Sequence, residues 1–223
     1  MPKTITVKGV GKATAKPDYV ALTMIMESRD QNYDTAMNSA AKNIHELSES
    51  LAAAGFEKES IKTTNFNVHM DYSNEKDHRG NWKKVFNGYV VTHHLKLEFD
   101  FDMKRLSAAL GTISGCISHP QLSVAFTLKD PSDIKEEMLR AAAANAKCKA
   151  EILCEASGVK LGSLLNIDYN WSEVSLFSGT RYMRAENCMR GASLESDKAI
   201  DIQPEDIKVN DTVTFVWEIV QEI

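Results

Sequence analysis

The chain contains no apolar run approaching the roughly 18 residues that cross a bilayer as a helix, so no membrane helix is expected. Its first stretch, MPKTITVKGVGKATAKPD, holds no hydrophobic segment of signal-peptide length and already alternates like a strand, which makes a cytoplasmic protein the expectation. Cysteine is sparse, at four of 223 residues. Cys116, Cys148, Cys154 and Cys188 form no CxxC pair. Cys148 and Cys154 would sit about 240° apart around one helix, so they cannot bond to each other there. Reduced, structural thiols follow, with Cys188 the one in a polar setting where reactivity is worth testing. Positive charge is not in excess. Lys and Arg number 26 against 31 Asp and Glu, giving a net charge of −5. That balance works against nucleic acid and anionic membranes as principal partners. The serine motif GxSxG is missing, as is any Cys in a protease context. The glycines Gly9 and Gly11 lack the third glycine and following helix of a dinucleotide fingerprint.

What is present is a steady alternation of strand and helix signals. With 43% hydrophobic and 26% charged residues, the chain has the composition of a globular protein able to bury a core. Thr4 to Ala13 and Tyr19 to Glu27 alternate apolar and polar residues around Lys16-Pro17-Asp18, and read as a hairpin. Tyr33, Met37, Ala40, Ala41, Ile44, Leu47, Leu51 and Ala54 recur at helical spacing, with Gly55 as the stop. Ile61 to Tyr72 and Val85 to Phe101 read as a second, longer hairpin with its tip between Asn74 and Trp82. Asp102 caps a short helix ended by Gly115.

Leu122 to Leu128 is the next strand, and Asp130-Pro131 opens an alanine-dense helix that ends at Gly158. Its expected buried stripe is Leu139, Ala142, Ala143, Ala146, Ala150 and Leu153, shallow enough for close approach to a sheet. Leu161 to Trp171 and Ile207 to Ile223 close the pattern as strands. Residues 172–206 break the rhythm and read as a long polar excursion. This order predicts an α+β fold over residues 1–223 as one domain, with antiparallel sheets built from hairpins and three helices packed on one side.

Chemistry-bearing clusters are few. His93 and His94 are neighbours in a strand and therefore point to opposite faces; His69 on the partner strand could approach one of them, without a third ligand. His45, His78 and His119 read as surface or turn residues. Neither catalytic residues nor a cofactor or metal set emerges. Two basic–aromatic patches stand out instead. One is Arg79, Trp82, Lys83, Lys84, Phe86 and Tyr89, at the second hairpin's tip and return strand. The other is Arg181, Tyr182, Arg184 and Arg190, in the polar excursion. Such mixtures suit a protein interface, where Arg, Tyr and Trp are enriched, ahead of single-stranded nucleic acid.

The ordered segments ITVKGVGKATAKPDYVALTM, AAAGFEKESIKTTNFNV, GYVVTHHLKLEF and LKDPSDIKEEMLRAAAANAKCKAEILCEASGVKLGSLLNI resemble the SIMPL-domain family. That family is named for a signalling protein associated with a Pelle-like kinase, and it includes a bacterial periplasmic immunogenic protein. The resemblance implies antiparallel sheets with helices on one side, self-assembly in some members, and links to stress tolerance or kinase signalling. It supplies no catalytic residues. The expectation is a non-enzymatic homo-oligomeric binding or assembly protein, stress-related, with room for an unidentified protein partner. The alternatives are an enzyme or small-ligand-binding protein with a cleft between helices and sheet, and a single-stranded nucleic-acid binder. Edge strands, the first or last of the chain among them, are the natural sites of addition unless covered.

Overall fold

A computed structural model describes residues 3–76, 78, 80–116, 119–169, 174–184 and 202–221. The chain divides into two compact units. One comprises Met1–Pro17, Thr127–Gly179 and Pro204–Ile223; the other comprises Asp18–Phe126 and Thr180–Gln203. Each holds an antiparallel sheet with helix on one face, so the α+β class stands. The helices are shared out two and one.

In the first unit, β1 (Thr4–Ala15), β8 (Ile207–Gln221) and β6 (Val159–Asp168) form a three-stranded sheet in the order β1-β8-β6. The chain's last strand is therefore central, not an edge. Helix α3 (Ser132–Ala156) packs on this sheet through Ile134, Met138, Ala142, Ala146, Ala150 and Cys154. That spacing of four differs from the expected stripe: Ala143 faces solvent and Leu153 is half exposed. The reason lies in the sheet. Gly9 and Gly11 of β1 bring strand backbone against helix backbone, and a Cβ on Gly9 would stand 2.0 Å from the Ala142 carbonyl oxygen. One on Gly11 would stand 1.9 Å from that of Met138. Only a row of small side chains fits such an approach, and Phe215 stacked on Trp217 (centroids 5.3 Å apart) fills the space beside it. Asp211, opposite Gly11, is buried and accepts a 3.1 Å hydrogen bond from the Tyr169 hydroxyl. Burial, with the Asp211 carboxylate beside it, pushes the Tyr169 phenol above its ordinary value.

In the second unit the five strands run β3 (Ile61–Lys76), β4 (Trp82–Asp100), β2 (Tyr19–Asp30), β5 (Gln121–Thr127) and β7 (Arg181–Arg184). Helix α1 (Tyr33–Ala53) begins at Asn32, whose side-chain oxygen accepts from the Asp34 and Thr35 amides. Helix α2 (Met103–Gly115) begins at Asp102, which accepts from the Arg105 amide. Both caps satisfy amides that no helical carbonyl can reach. One core joins Val20, Leu22, Met24 and Met26 of β2 to Leu95, Leu97 and Phe99 of β4, Leu47 and Leu51 of α1, and Leu106, Leu110 and Ile113 of α2.

The expected first hairpin does not form. β1 pairs with β8 and β2 pairs with β4, in different sheets. Its connection, Lys16-Pro17-Asp18, has no residue at positive φ, which tight hairpin loops demand, and Pro17 keeps the chain extended. The Asp18 carbonyl instead accepts from the Phe101 amide at 2.8 Å, seating β2 beside the end of β4. The second hairpin, β3–β4, forms as expected. Part of the polar excursion is strand: Arg181–Arg184 pairs with β5 from Leu122 to Ala125.

The glycine contacts give a paired test. Gly9→Ala or Gly11→Ala forces backbone apart and should lower stability by about 1–3 kcal/mol or more. Gly111→Ala, in an exposed turn of α2 with nothing within 4 Å, should raise it by about 0.5–1 kcal/mol. Urea midpoints measure both; unchanged midpoints for the β1 variants would refute the close-approach account.

Candidate functional site

The hairpin β3–β4 is longer than the sheet it belongs to. β4 pairs with β2 only from Tyr89 to Asp100, while its pairing with β3 continues down to Trp82. Residues Trp82–Gly88 and their β3 partners therefore extend beyond the end of β2 as a two-stranded ribbon. The departure point is Gly88, at φ 139°, where an added Cβ would meet the Asp30 carbonyl at 2.5 Å. A bulge follows it in β4, between the pairs Asp71–Gly88 and Tyr72–Phe86. Asn87 secures that bulge, donating to Asp71 at 3.3 Å and accepting from the Ser73 hydroxyl at 3.0 Å.

One face of the hairpin is apolar from Phe66 to Tyr72 on β3 and over their β4 partners Val91, Tyr89 and Phe86. Helix α1 covers the inner part, where Ala36 and Ala40 pack on Val91, flanked by Val68 and Tyr89. Tyr33 sits edge-on to Tyr89 with centroids 5.5 Å apart. Beyond the helix the row continues uncovered. Tyr89 meets Phe86 at 5.3 Å, Phe86 meets Tyr72 at 5.6 Å, and the Tyr72 hydroxyl lies 3.5 Å from the Met70 sulfur. At the tip, the Lys76 ammonium lies 5.1 Å from the Trp82 ring. Met70, Tyr72 and Phe86 are 53%, 49% and 40% exposed and form a continuous apolar surface, from which the Asn74–Lys84 pair separates Trp82.

The sequence candidates divide on this frame. Phe86 and Tyr89 join the apolar row, and Trp82 stands beyond it at the tip. Lys84 lies across from Asn74, and Lys83 across from Glu75. With Asp71 and Glu75 close by, the ribbon is of mixed charge, not basic. Arg79 and Arg190 lie outside the described residues. Arg181, Tyr182 and Arg184 belong to β7, at the opposite edge of the sheet from β3. The two patches are separate features. Sequence reading passed over Phe66, Met70 and Tyr72, although their alternation was visible; the missing signal was that β2 ends early and leaves them uncovered. His69 pairs with Val90 and His93 with Phe66, so the two imidazoles do not converge. Among the described residues no group of three metal-ligating side chains occurs.

The sheet edges are treated unequally. Along β1, the outward Val10 amide donates to the Asn145 side chain at 3.0 Å, and the Lys8 carbonyl accepts from the Lys149 ammonium at 3.1 Å. Two residues of α3 thus cap that edge. β6 carries two register shifts, between Leu161 and Leu164 and between Leu164 and Asn166. β7 is described from Arg181 to Arg184. Capping and bulging are devices that blunt an edge. From Asn65 to Lys76 β3 itself carries no extra residue, the bulge at Asp71/Tyr72 lying in β4, and among the described residues its one strand partner is β4 and no side chain caps its outer edge.

The SIMPL family profile, described as "Protein of unknown function (DUF541)", matches residues 5–217. The chain belongs to the SIMPL family. It is 27% identical over 170 residues to the 26 kDa periplasmic immunogenic protein of Brucella melitensis biotype 1, and 26% identical over 170 residues to the protein of the same name from Brucella abortus strain S19. Each alignment covers 74% of this chain and 66% of the relative, so the chain spans just under two thirds of those proteins' length. Among the described residues, no helix is long and apolar enough to cross a membrane.

His93 supplies a pH test of the ribbon's base. Its ring lies edge-on to Phe66 and its Nε2 is 2.8 Å from the Thr63 hydroxyl. Burial, reinforced by the neighbouring His94, holds its pKa below the ordinary 6.5. A depressed imidazole favours the neutral form in the fold. Its contribution is therefore complete above pH 6.5 and is lost as pH falls from there towards the folded value. Urea midpoints between pH 8 and pH 5 should fall less steeply in His93→Gln than in the parent. Parallel slopes would exclude His93 as a source of acid lability.

Proposed function

We propose that this SIMPL chain is a non-enzymatic binding and assembly protein that self-associates by strand addition at β3, with the uncovered apolar row of the β3–β4 ribbon as its contact surface. The observation that carries the reading is the contrast between β3 and the edges at β1 and β6. An open strand with an apolar face gives a partner both backbone hydrogen bonds and side-chain pockets. Trp82, Phe86 and Tyr89 act as aromatic anchors, with Lys83 and Lys84 beside them. The strand β7, which carries Arg181, Tyr182 and Arg184 at the far edge of the sheet, would serve a different contact, such as an unidentified protein partner. The stress-related role implied by the family resemblance would be exercised through assembly. A cytoplasmic setting is the reading carried over from the sequence; the name of the Brucella relatives places those proteins in the periplasm.

Light scattering coupled to size exclusion should find an oligomer. Met70→Lys should dissociate it while moving stability by no more than about 0.5 kcal/mol, because the position is exposed. A wild-type protein that stays monomeric at high concentration would sink the reading. Salt-sensitive retention of single-stranded oligonucleotides, lost in Lys83→Glu/Lys84→Glu, would replace it with nucleic-acid binding.

A further inference from the structure

We propose that two copies of this chain join antiparallel through β3 about a two-fold axis at Met70, so that each His69 lies across from Asp71 of the other copy. This rests on the self-association proposed above and adds its geometry and register.

A two-fold axis normal to the sheet leaves every side chain on its own face. Cross-strand pairs then unite residues of like parity, and the axis falls on a residue that faces its own copy. From Asn65 to Lys76 the side chains of β3 divide cleanly. Phe66, Val68, Met70 and Tyr72 lie on one face, followed there by Asn74 and Lys76, while Asn67, His69, Asp71, Ser73 and Glu75 lie on the other. The axis position therefore decides which charges meet.

With the axis at Met70, Val68 stands opposite Tyr72 twice and Met70 opposite itself, which makes one apolar row across both copies. Tyr72 is already the end of the aromatic series through Phe86 and Tyr89, so the dimer continues a packed row rather than starting one. On the other face His69 meets Asp71 twice, Asn67 meets Ser73, and Asn65 meets Glu75. No like charges oppose each other. Moving the axis to Asp71 sets that carboxylate against its own copy. Moving it to His69 sets that imidazole against its own copy and Asp71 against Asn67, so no opposite charges are paired. With the axis at Val68, Asp71 faces Asn65 and no opposite charges are paired. Among axis positions from Val68 to Asp71, only Met70 gives both charge complementarity and apolar overlap. The Asp71 carboxylate is also oriented for the role. Asn87 donates to its Oδ2, and the Arg29 guanidinium lies 3.9 Å from the same oxygen, so Oδ1 is offered to an incoming imidazole.

Cysteine crosslinking in a Cys148→Ser/Cys188→Ser background tests the register. Directly opposed Cα atoms lie about 4.5–5.5 Å apart, within disulfide reach. Met70→Cys should give a covalent dimer on non-reducing gels, as should the double variant Val68→Cys/Tyr72→Cys, whereas Val68→Cys, Tyr72→Cys and His69→Cys alone should not. Asp71→Lys should weaken association roughly tenfold, and His69→Asp/Asp71→Lys should restore it. Crosslinking at His69→Cys in place of Met70→Cys overturns the register. Crosslinking at neither, in a protein that still self-associates and is dissociated by Met70→Lys, overturns two-fold pairing and leaves the broader reading intact. A monomeric wild type removes both.

Discussion

The backbone-to-backbone approach of helix α3 to strand β1 at Gly9 and Gly11 is the constraint on which the first unit depends. Side chains are absent from the strand there and reduced to alanine on the helix, because a Cβ on either glycine would fall inside a carbonyl contact of α3. The approach gathers dispersion contacts over the helix length without long side chains. It also brings the next residues around α3 within reach of the strand's outer edge, where Asn145 and Lys149 satisfy an amide and a carbonyl of β1. A single close contact thus builds the core and closes an edge. The position of β8 follows: with one side of β1 capped by helix side chains, its other side takes the last strand.

The second unit is built on different terms. Its helices lie over β2, β4 and the base of β3 with leucine, phenylalanine and methionine in between, and the outward backbone groups of β3 receive no comparable cap. The ribbon beyond Gly88 then exposes its apolar face past the end of α1. At roughly 25 cal/mol per Å² of apolar surface, covering that face would be a substantial favourable term, and leaving it in water forgoes it. The fold does not need this extension, since the core residues of β4 lie from Val90 to Phe99.

Most local structure was legible. Asn32 and Asp102 announce helix starts, Gly55 and Gly158 mark the chain's exit from helices at positive φ, and the alternation of β3 and β4 gives the hairpin. What failed was partnership at long range. Alternation in Thr4–Ala13 and Tyr19–Glu27 says that both are strands, and nothing in it says that β1 will find β8 some two hundred positions later. The stripe of α3 was misplaced for a related reason. An alanine-rich helix offers several faces of similar apolarity, and Gly9 and Gly11, in a strand far away in sequence, select among them. The site was half legible. Trp82, Phe86 and Tyr89 signalled a surface by composition, whereas Met70 and Tyr72 looked like ordinary strand residues. Only the early end of β2 uncovers them, and the length of a neighbour is not written into a strand's own pattern.

The unequal edges carry the functional argument because folding alone does not require them. A capped β1 and a twice-bulged β6 each limit strand addition by a different means. β3 breaks that rule over its longest continuous stretch while placing aromatic and sulfur-bearing side chains on one face. Were β3 simply a solvated edge, its exposed positions would be mostly polar, as on the outward face of β1, where Thr6, Lys8, Lys12 and Thr14 accompany a single Val10. From Phe66 to Tyr72 the even positions of β3 are Phe66, Val68, Met70 and Tyr72, and only beyond them do Asn74 and Lys76 follow. On β1 the outer face is made for water, and on β3 the apolar face continues past the helix that covers its base. The alternating polar positions of β3, His69 and Asp71 among them, leave it able to discriminate between registers. An edge that is both adhesive and selective fits a defined partner better than indiscriminate aggregation, and that distinction favours assembly as the purpose of the ribbon.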